Sequence, residues 1–212
     1  MGTARSVSIT LDETLPAVNE EAAFVAELQA GSQDAFAYLL TLYQNPVFNL
    51  VWHIVENPAD ASDVLQDVFM KVFKGINGFH GESSLKTWIY RIAVHEASNH
   101  RRQWIRRHWW EMVSVDDTES PSAAVAAEAA SNERDPYQVL EQAEREAVVR
   151  QALASLAPPY RTVVVLREIE GLPYEEIAQV LGLAEGTVKS RLLRGRELLR
   201  RKLAGYVGKE HV

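Results

Sequence analysis

The chain has 212 residues, with 29 acidic against 22 basic side chains, a formal net charge of −7 and no cysteine. That length leaves room for one domain or two small ones, and the lack of cysteine excludes disulfides and cysteine-ligated zinc, which fits a reducing cytosol and a cytoplasmic protein. Arg5 is followed by no long apolar stretch, so no secretory signal is evident, and no segment approaches the roughly 20 apolar residues a membrane helix needs, so no membrane insertion is expected.

Helix signals dominate and no strand pattern is convincing, so the predicted fold is all-α. Residues 1–19 lack periodicity and read as a mobile tail. A short amphipathic helix follows from Glu20 to Ala30 and ends at Gly31. Ser32 can cap the next helix, through Phe36, Leu39, Leu40 and Tyr43. Pro46 predicts a kink or break there; helicity resumes to about Val55, and Asn57-Pro58 makes a turn. Asp60 is placed to cap a helix running to Lys74. Gly78, Gly81, Ser83 and Ser84 make 76–84 a loop, and a long helix follows from Leu85 to about His108.

The composition then changes. Val113 to Asn132 is rich in Ala, Ser and acidic residues and reads as a flexible linker, with 111–135 as the boundary between domains. Asp135-Pro136 is a helix start, cap then proline, for a helix to about Ser155. Pro158-Pro159 opens another, through Val163 to Glu170, closed by Gly171. Tyr174 to Leu181 and Glu185 to about Leu203 complete the set. The predicted architecture is two small helical domains, 20–110 and 136–207, held apart on an acidic tether.

Net acidity argues against a nucleic-acid partner, but its distribution reverses that argument. From Lys86 to Arg107 the bases are Lys86, Arg91, Arg101, Arg102, Arg106 and Arg107, against Glu96 alone. From Gly186 to Lys202 they are Lys189, Arg191, Arg194, Arg196, Arg200, Arg201 and Lys202, against Glu197 alone. Two basic blocks around an acidic spacer suggest two contact surfaces on one polyanion; two solvated helix faces are the plainer alternative.

The C-terminal block has the form of a helix-turn-helix unit, a short helix and a basic one joined at Gly182. At about 100° per residue, Val188, Leu192, Gly195, Leu199 and Leu203 share the face that packs inward. The outer face carries Ser190, Leu193, Arg194, Glu197 and Arg201, flanked by Lys189, Arg196 and Arg200 on one side and Arg191 on the other. An outward leucine has no core to enter, whereas a thymine methyl in the major groove would suit it, and arginines beside it can bond guanine edges. Ala184 is a poor cap for this helix, partly compensated by Glu185.

In the first basic block, Lys86-Thr87-Trp88-Ile89-Tyr90-Arg91 interleaves aromatics with cations, the pattern used to stack single-stranded bases; a core role for Trp88 is the alternative. An exposed Phe79 on the preceding loop would serve as a wall of a base pocket. His95-Glu96-Ala97-Ser98-Asn99 begins like a zinc-protease motif but has Asn99 at the second ligand position, so no metal site is expected. The helix from Asp60 is apolar over a wider arc than one core contact requires. Val64, Leu65, Val68, Phe69, Val72 and Phe73 span about half its circumference, with Met70 among Asp63, Gln66 and Asp67. That width fits either a docking face for a protein or burial on two sides.

Three runs in this order resemble the extracytoplasmic-function (ECF) group of bacterial sigma factors: D-A-S-D-V-L-Q-D-V-F-M-K-V-F (Asp60 to Phe73), F-H-G-E-S-S-L-K-T-W-I-Y-R-I-A (Phe79 to Ala93) and Y-E-E-I-A-Q-V-L-G-L-A-E-G-T-V-K-S-R-L-L-R-G-R (Tyr174 to Arg196). The resemblance covers about 22–205 apart from the linker. It implies a sigma-2-like domain that binds the clamp helices of the RNA polymerase β′ subunit near Asp63, Gln66, Asp67 and Met70. The same domain would open the −10 element and hold a flipped base, with Phe79, Lys86, Trp88, Tyr90, Arg91, His95 and Asn99 in that region. It implies a sigma-4-like domain that reads the −35 element through Arg167, Thr187, Lys189, Ser190, Arg191, Leu193 and Arg194. Family members often carry Asn where His95 stands; an imidazole cannot present the donor–acceptor pair of an amide, so no base preference carries over. Family habit also implies an anti-sigma partner that clasps the two domains.

The resemblance implies neither cofactor nor covalent chemistry. Phosphate loops, nucleophile motifs and paired-carboxylate sites are not evident, which argues against an enzyme. The other rival is a dimeric helix-turn-helix regulator that does not bind core polymerase. It would require a dimerisation seam, and no heptad pattern supplies one.

Overall fold

The computed structural model describes residues 18–113 and 136–207. The expected tail up to residue 17 and the expected linker from 114 to 135, with its cap at Asp135, lie outside the described residues. The elements are α1 (Val18–Gln29), α2 (Gln33–Val55), α3 (Pro58–Gly75), a 3₁₀ turn (Ile76–Gly78), α4 (Leu85–Val113), α5 (Pro136–Ala154), α6 (Pro158–Val164) with a π-helical turn (Val165–Ile169), α7 (Tyr174–Leu181) and α8 (Glu185–Val207). No strand occurs among the described residues.

Local chemistry accounts for most boundaries. Ser32 Oγ accepts a hydrogen bond from the Ala35 N–H at 3.2 Å, as its position predicts. The cap of α3 is Asn57 and not Asp60: Asn57 Oδ1 accepts from Ala59 N at 2.9 Å and from Asp60 N at 3.4 Å. Pro58 occupies the first turn, where its missing N–H costs nothing, so the helix begins earlier than the Asp60 pattern suggests. Pro46 does not break α2, which is one helix from Gln33 to Val55. Tyr43, Val47, Leu50 and Val51 are buried on either side of it, and their burial outweighs the lost hydrogen bond and ring clash, together about 3 kcal/mol.

In the N-terminal half, α2, α3 and α4 pack around Leu39, Val47, Leu50, Val64, Val68 and Ile89, all buried. In the C-terminal half, α8 lies across α5, α6 and α7, burying Val188 and Leu192 against Val163, Val164 and Ile177. Gly182 ends α7 with φ +62°, a left-handed conformation that makes the tight turn into α8. Gly195 allows α8 to approach α6: a Cβ there would meet Val164 Cγ2 at 2.7 Å and Tyr160 O at 3.4 Å.

The two halves also pack on one another, α7 against α4 and α6 against α2. They are therefore not held apart as the tether alone suggests. Arg161 of α6 pins one of these contacts. It is 2% exposed and donates from Nη2 to Ala154 O at 2.6 Å and Leu156 O at 2.8 Å, and from Nη1 to His53 O at 3.2 Å. Its Nη1 also pairs with Glu56 Oε1 at the end of α2. Burial lowers the Arg161 pKa to about 10, so the side chain remains a cation at neutral pH. Glu56 adopts φ +69°, a conformation unusual for a side chain other than glycine, and from there its carboxylate reaches both Arg161 and Arg101.

Replacing Gly195 by Ala adds helix propensity but forces Val164 and Tyr160 apart. The expected outcome is a net loss of about 1–2 kcal/mol and a lower thermal midpoint. A midpoint equal to or above that of the parent chain in a thermal melt would contradict the close approach of α8 to α6.

Candidate nucleic-acid interface

On α3, one stripe is buried through Val64, Val68 and Val72. The opposite stripe is open. Asp63, Gln66, Asp67 and Met70 are all exposed, with Met70 at 52% and Phe73 at 57%. Burial on two sides is thus not observed, and the apolar width of the helix remains at the surface.

The start of α4 is arranged differently from its sequence pattern. Phe79 is buried, with its ring centroid 5.3 Å from that of half-buried Trp88 and its carbonyl accepting from Gln29 Nε2 at 2.9 Å. The exposed pocket wall expected at Phe79 is absent because the 3₁₀ turn directs the ring inward against Trp88. Tyr90 is likewise fully buried; its hydroxyl donates to Glu170 Oε2 at 2.5 Å, across the boundary between the halves. Beside it Lys86 Nζ donates to Glu170 O at 3.0 Å, Thr87 Oγ1 to Glu176 Oε2 at 2.6 Å, and Arg91 Nε to Gln179 O at 3.2 Å. Further along the same stripe, His95 is exposed and Asn99 half-buried, neither covered in this way.

On α8, the outer face is open. Leu193 is 72% exposed, Lys189, Ser190 and Arg194 are exposed, and Thr187 and Arg191 are half-buried. Arg167 stands apart from α8 on the π-helical turn, where the wider backbone ring places Val165 and Leu166 in the core and Arg167 at the surface. Its Nη1 donates to Leu172 O at 2.8 Å, and its guanidinium lies 5.0 Å from the Tyr174 ring. Lys189 Nζ lies 5.8 Å from the same ring and 2.9 Å from Glu185 Oε2. Tyr174 therefore joins two cations from separate elements, an aromatic role invisible in the sequence because its partners come from the π turn and α8.

A cleft of about 610 Å³ separates α4 from the α7–α8 turn, with Arg91 and His95 on one wall and Gln179, Leu183 and Arg191 on the other. Basic side chains from both blocks thus face a common space. The titratable groups around the boundary are shifted in opposite senses. Burial raises the Glu170 carboxyl above its usual range, with the Tyr90 hydrogen bond and Lys86 opposing it. Burial, then Arg161 and Arg150, lower His53 from 6.5 to about 4. Arg150 also lies over Trp52, 4.7 Å from its ring.

Described residues that form helices and their connecting turns, with an aromatic, basic helix in one half and a helix-turn-helix in the other, define a helix-turn-helix DNA-binding protein. Comparison with known proteins specifies it. Residues 39–111 match the family model for sigma-70 region 2 and residues 146–199 that for sigma-70 region 4. The ECF RNA polymerase sigma-E factor of Haemophilus influenzae is 35% identical over 181 residues, covering 85% of this chain and 94% of that one. The RNA polymerase sigma-H factor of Pseudomonas aeruginosa is 35% identical over 179 residues, 84% of this chain and 91% of that one. Among solved structures, CnrH in complex with the cytosolic domain of CnrY shares the fold, with a TM-score of 0.62 and 23% identity over 87% of this chain and 97% of that one. The sigma factor RpoE in complex with the anti-sigma factor NepR from Bartonella quintana gives a TM-score of 0.61 at 25% identity, over 80% of this chain and 96% of that one. The chain belongs to the ECF RNA polymerase sigma factors of the sigma-70 family.

The shifted groups give a pH test of the contact between the halves. Glu170 in the closed form keeps a proton that an exposed carboxyl has released, so closure weakens as pH rises through the window above the usual Glu range. His53 in the closed form refuses a proton that an exposed imidazole accepts, so closure also weakens as pH falls from 6.5 toward about 4. Glu170→Gln retains an acceptor for Tyr90 and should abolish the first dependence while leaving the second. Energy transfer between probes on the two halves, followed across pH, reads both; an unaltered profile in the variant contradicts the assignment to Glu170.

Proposed function

We propose that this sigma factor joins core polymerase through the exposed face of α3, opens and holds the −10 element on α4, and reads the −35 element with α8. The open outer face of α8, with Leu193 at 72% exposure among basic side chains, is the single observation that carries the DNA-reading part of this proposal. Leu193 meets a thymine methyl, Arg194 and Arg191 lie where base edges pass, and Arg167, Thr187, Lys189 and Ser190 serve the backbone and the groove edge. On α3, Asp63, Gln66, Asp67 and Met70 form the contact with the β′ clamp helices, where Met70 supplies adaptable apolar surface among acidic neighbours.

On α4, Lys86, Trp88, Tyr90, Arg91, His95 and Asn99 serve the −10 region. Phe79 supports that region from behind, by holding Trp88. Strand opening costs a few kcal/mol of unstacking, offset by stacking and pocket contacts. Polymerase makes the RNA; this chain supplies promoter affinity and placement and performs no covalent step.

The closed arrangement adds an order of events. Tyr90, Thr87 and Lys86 cannot engage a promoter strand while Glu170 and Glu176 hold them, and Arg91 is tied through Nε to Gln179. The net charge of −7 also repels free DNA. Holoenzyme formation therefore precedes promoter binding and separates the halves. CnrH and RpoE were solved with CnrY and with the anti-sigma factor NepR; a protein of that kind would inhibit this chain by prolonging the closed state. The protein acts in the compartment that holds polymerase, the cytoplasm.

Core polymerase should co-purify with the full chain and transcribe from specific promoters only in its presence. Failure of either would refute the proposal, and tight promoter binding by the isolated chain at physiological salt would refute the order of events. Met70→Asp should reduce co-purification about tenfold, by placing a desolvated charge in the contact. Arg194→Ala should leave co-purification intact and weaken −35-dependent transcription by about 1–3 kcal/mol, roughly fivefold or more. Equal losses of both activities in both variants would show that α3 and α8 are not separate surfaces.

A further inference from the structure

Glu96 is the one acid within the first basic block, and it sits behind the −10 stripe rather than on it. Its side chain is 13% exposed, against 65% for the adjacent His95. Glu96 Oε2 lies 2.6 Å from Lys71 Nζ of α3, which ties the carboxylate to the neighbouring helix. Its other oxygen, Oε1, faces His95 Nδ1 at 2.8 Å. Burial opposes ionisation of Glu96, but the hydrogen bonds from Lys71 and His95, with the Lys71 charge, outweigh it and hold the carboxyl below its usual range.

An ionised carboxylate can only accept, so the ring nitrogen facing it must carry the hydrogen. Asn99 does not compete for the other nitrogen. Its Nδ2 lies 3.2 Å from Nδ1 and 3.3 Å from Nε2. An atom at nearly equal distance from both ring nitrogens lies over the ring face, because in the ring plane it would collide with the carbon between them. This is an amide-on-ring contact rather than a bond to the Nε2 lone pair. Asn99 Oδ1 in turn accepts from Arg102 Nη2 at 2.5 Å. The imidazole is thus gripped at Nδ1 and across one face, with Nε2 directed away from both grips.

We propose that Glu96 is a positioning residue that determines specificity at the −10 contact: by keeping the proton of His95 on Nδ1, it leaves Nε2 as an acceptor for an exocyclic amino group of the promoter strand. This deepens the proposed function and rests on it, through the placement of the Arg91–His95–Asn99 stripe against the −10 strand. Adenine, cytosine and guanine carry an exocyclic amino group and thymine does not. Thymine's one edge donor is N3–H, flanked by two carbonyl oxygens that repel the Nε2 lone pair, so a ring protonated on Nδ1 alone favours any of the first three over thymine at the base it meets. A carboxamide in place of Glu96 could turn either its oxygen or its nitrogen toward Nδ1, so the proton would no longer be confined to one nitrogen.

The test uses holoenzyme and −10 non-template strands with each position varied in turn, at pH 8, above the range in which free imidazole titrates. Comparing the parent with His95→Ala identifies the base that His95 meets. At that base the parent should bind strands with an amino group about fivefold tighter than the thymine strand, the value of one neutral hydrogen bond. Glu96→Gln should bring the ratio to within about twofold, with partial return in Glu96→Asp. ¹⁵N spectra of the full chain should show the Nδ1–H tautomer of His95 in the parent and a mixture in Glu96→Gln, a change that mere loss of stability does not produce. A parent ring in the Nε2–H form overturns the inference, as does an unaltered base ratio in Glu96→Gln alongside a real effect of His95→Ala. If His95→Ala alters binding at no position, the placement of α4 against the −10 strand fails, and this inference with it.

Discussion

The hydrogen bond from Tyr90 to Glu170 joins the two halves at the surface where α4 is expected to meet the promoter. Tyr90 is wholly buried, and burial together with the nearby carboxylate raises its pKa well above the usual phenol range, so the hydroxyl stays a donor at any physiological pH. Around it the partners of Lys86, Thr87 and Arg91 are a carbonyl, a carboxylate and another carbonyl of the C-terminal half. These are groups that a phosphate or a base edge could replace. In the proposed function that stripe of α4 has two alternative ligands, the second half of its own chain and DNA. It cannot hold both.

The energetics of that exchange are modest. Each polar contact is worth about 0.5–1.5 kcal/mol net, because the same groups find water when the halves separate. Arg161 is the more costly element. It is buried, paired with Glu56, and also satisfies two carbonyls of its own half. On opening it would keep the bonds to Ala154 and Leu156 and lose Glu56 and His53. A contact of this strength suits the proposed opening by a larger protein surface rather than by thermal motion alone.

The C-terminal grip depends on backbone geometry as much as on charge. Gly195 lets α8 lie close on α6, Gly182 turns α7 into α8, and the π turn carries Arg167 outward while Leu166 stays in the core. Tyr174 then gathers Arg167 and Lys189 on one ring. The basic residues are thereby held as a surface with shape, so that Leu193 projects from it rather than into it.

Much of this was legible in the chain itself. Helical periodicity, the cap at Ser32, the proline starts at Pro136 and Pro158 and the apolar stripe of α8 are local properties, set by residues within a turn or two of each other. The excess apolar width of α3 and the outward position of Leu193 follow from the same wheel arithmetic, and the order of the three motif runs marks the family. Other features were not legible because they depend on groups far apart in sequence. Phe79 has a loop composition but faces Trp88, Tyr90 looks like a stacking ring but is buried by Glu170, and Glu96 looks like a stray acid until Lys71 of another helix fixes it in place. The sequence alone determined which helices form and where their charge lies; the tertiary structure decided which of those charges are already engaged, because burial and pairing across the two halves are properties of the packed chain.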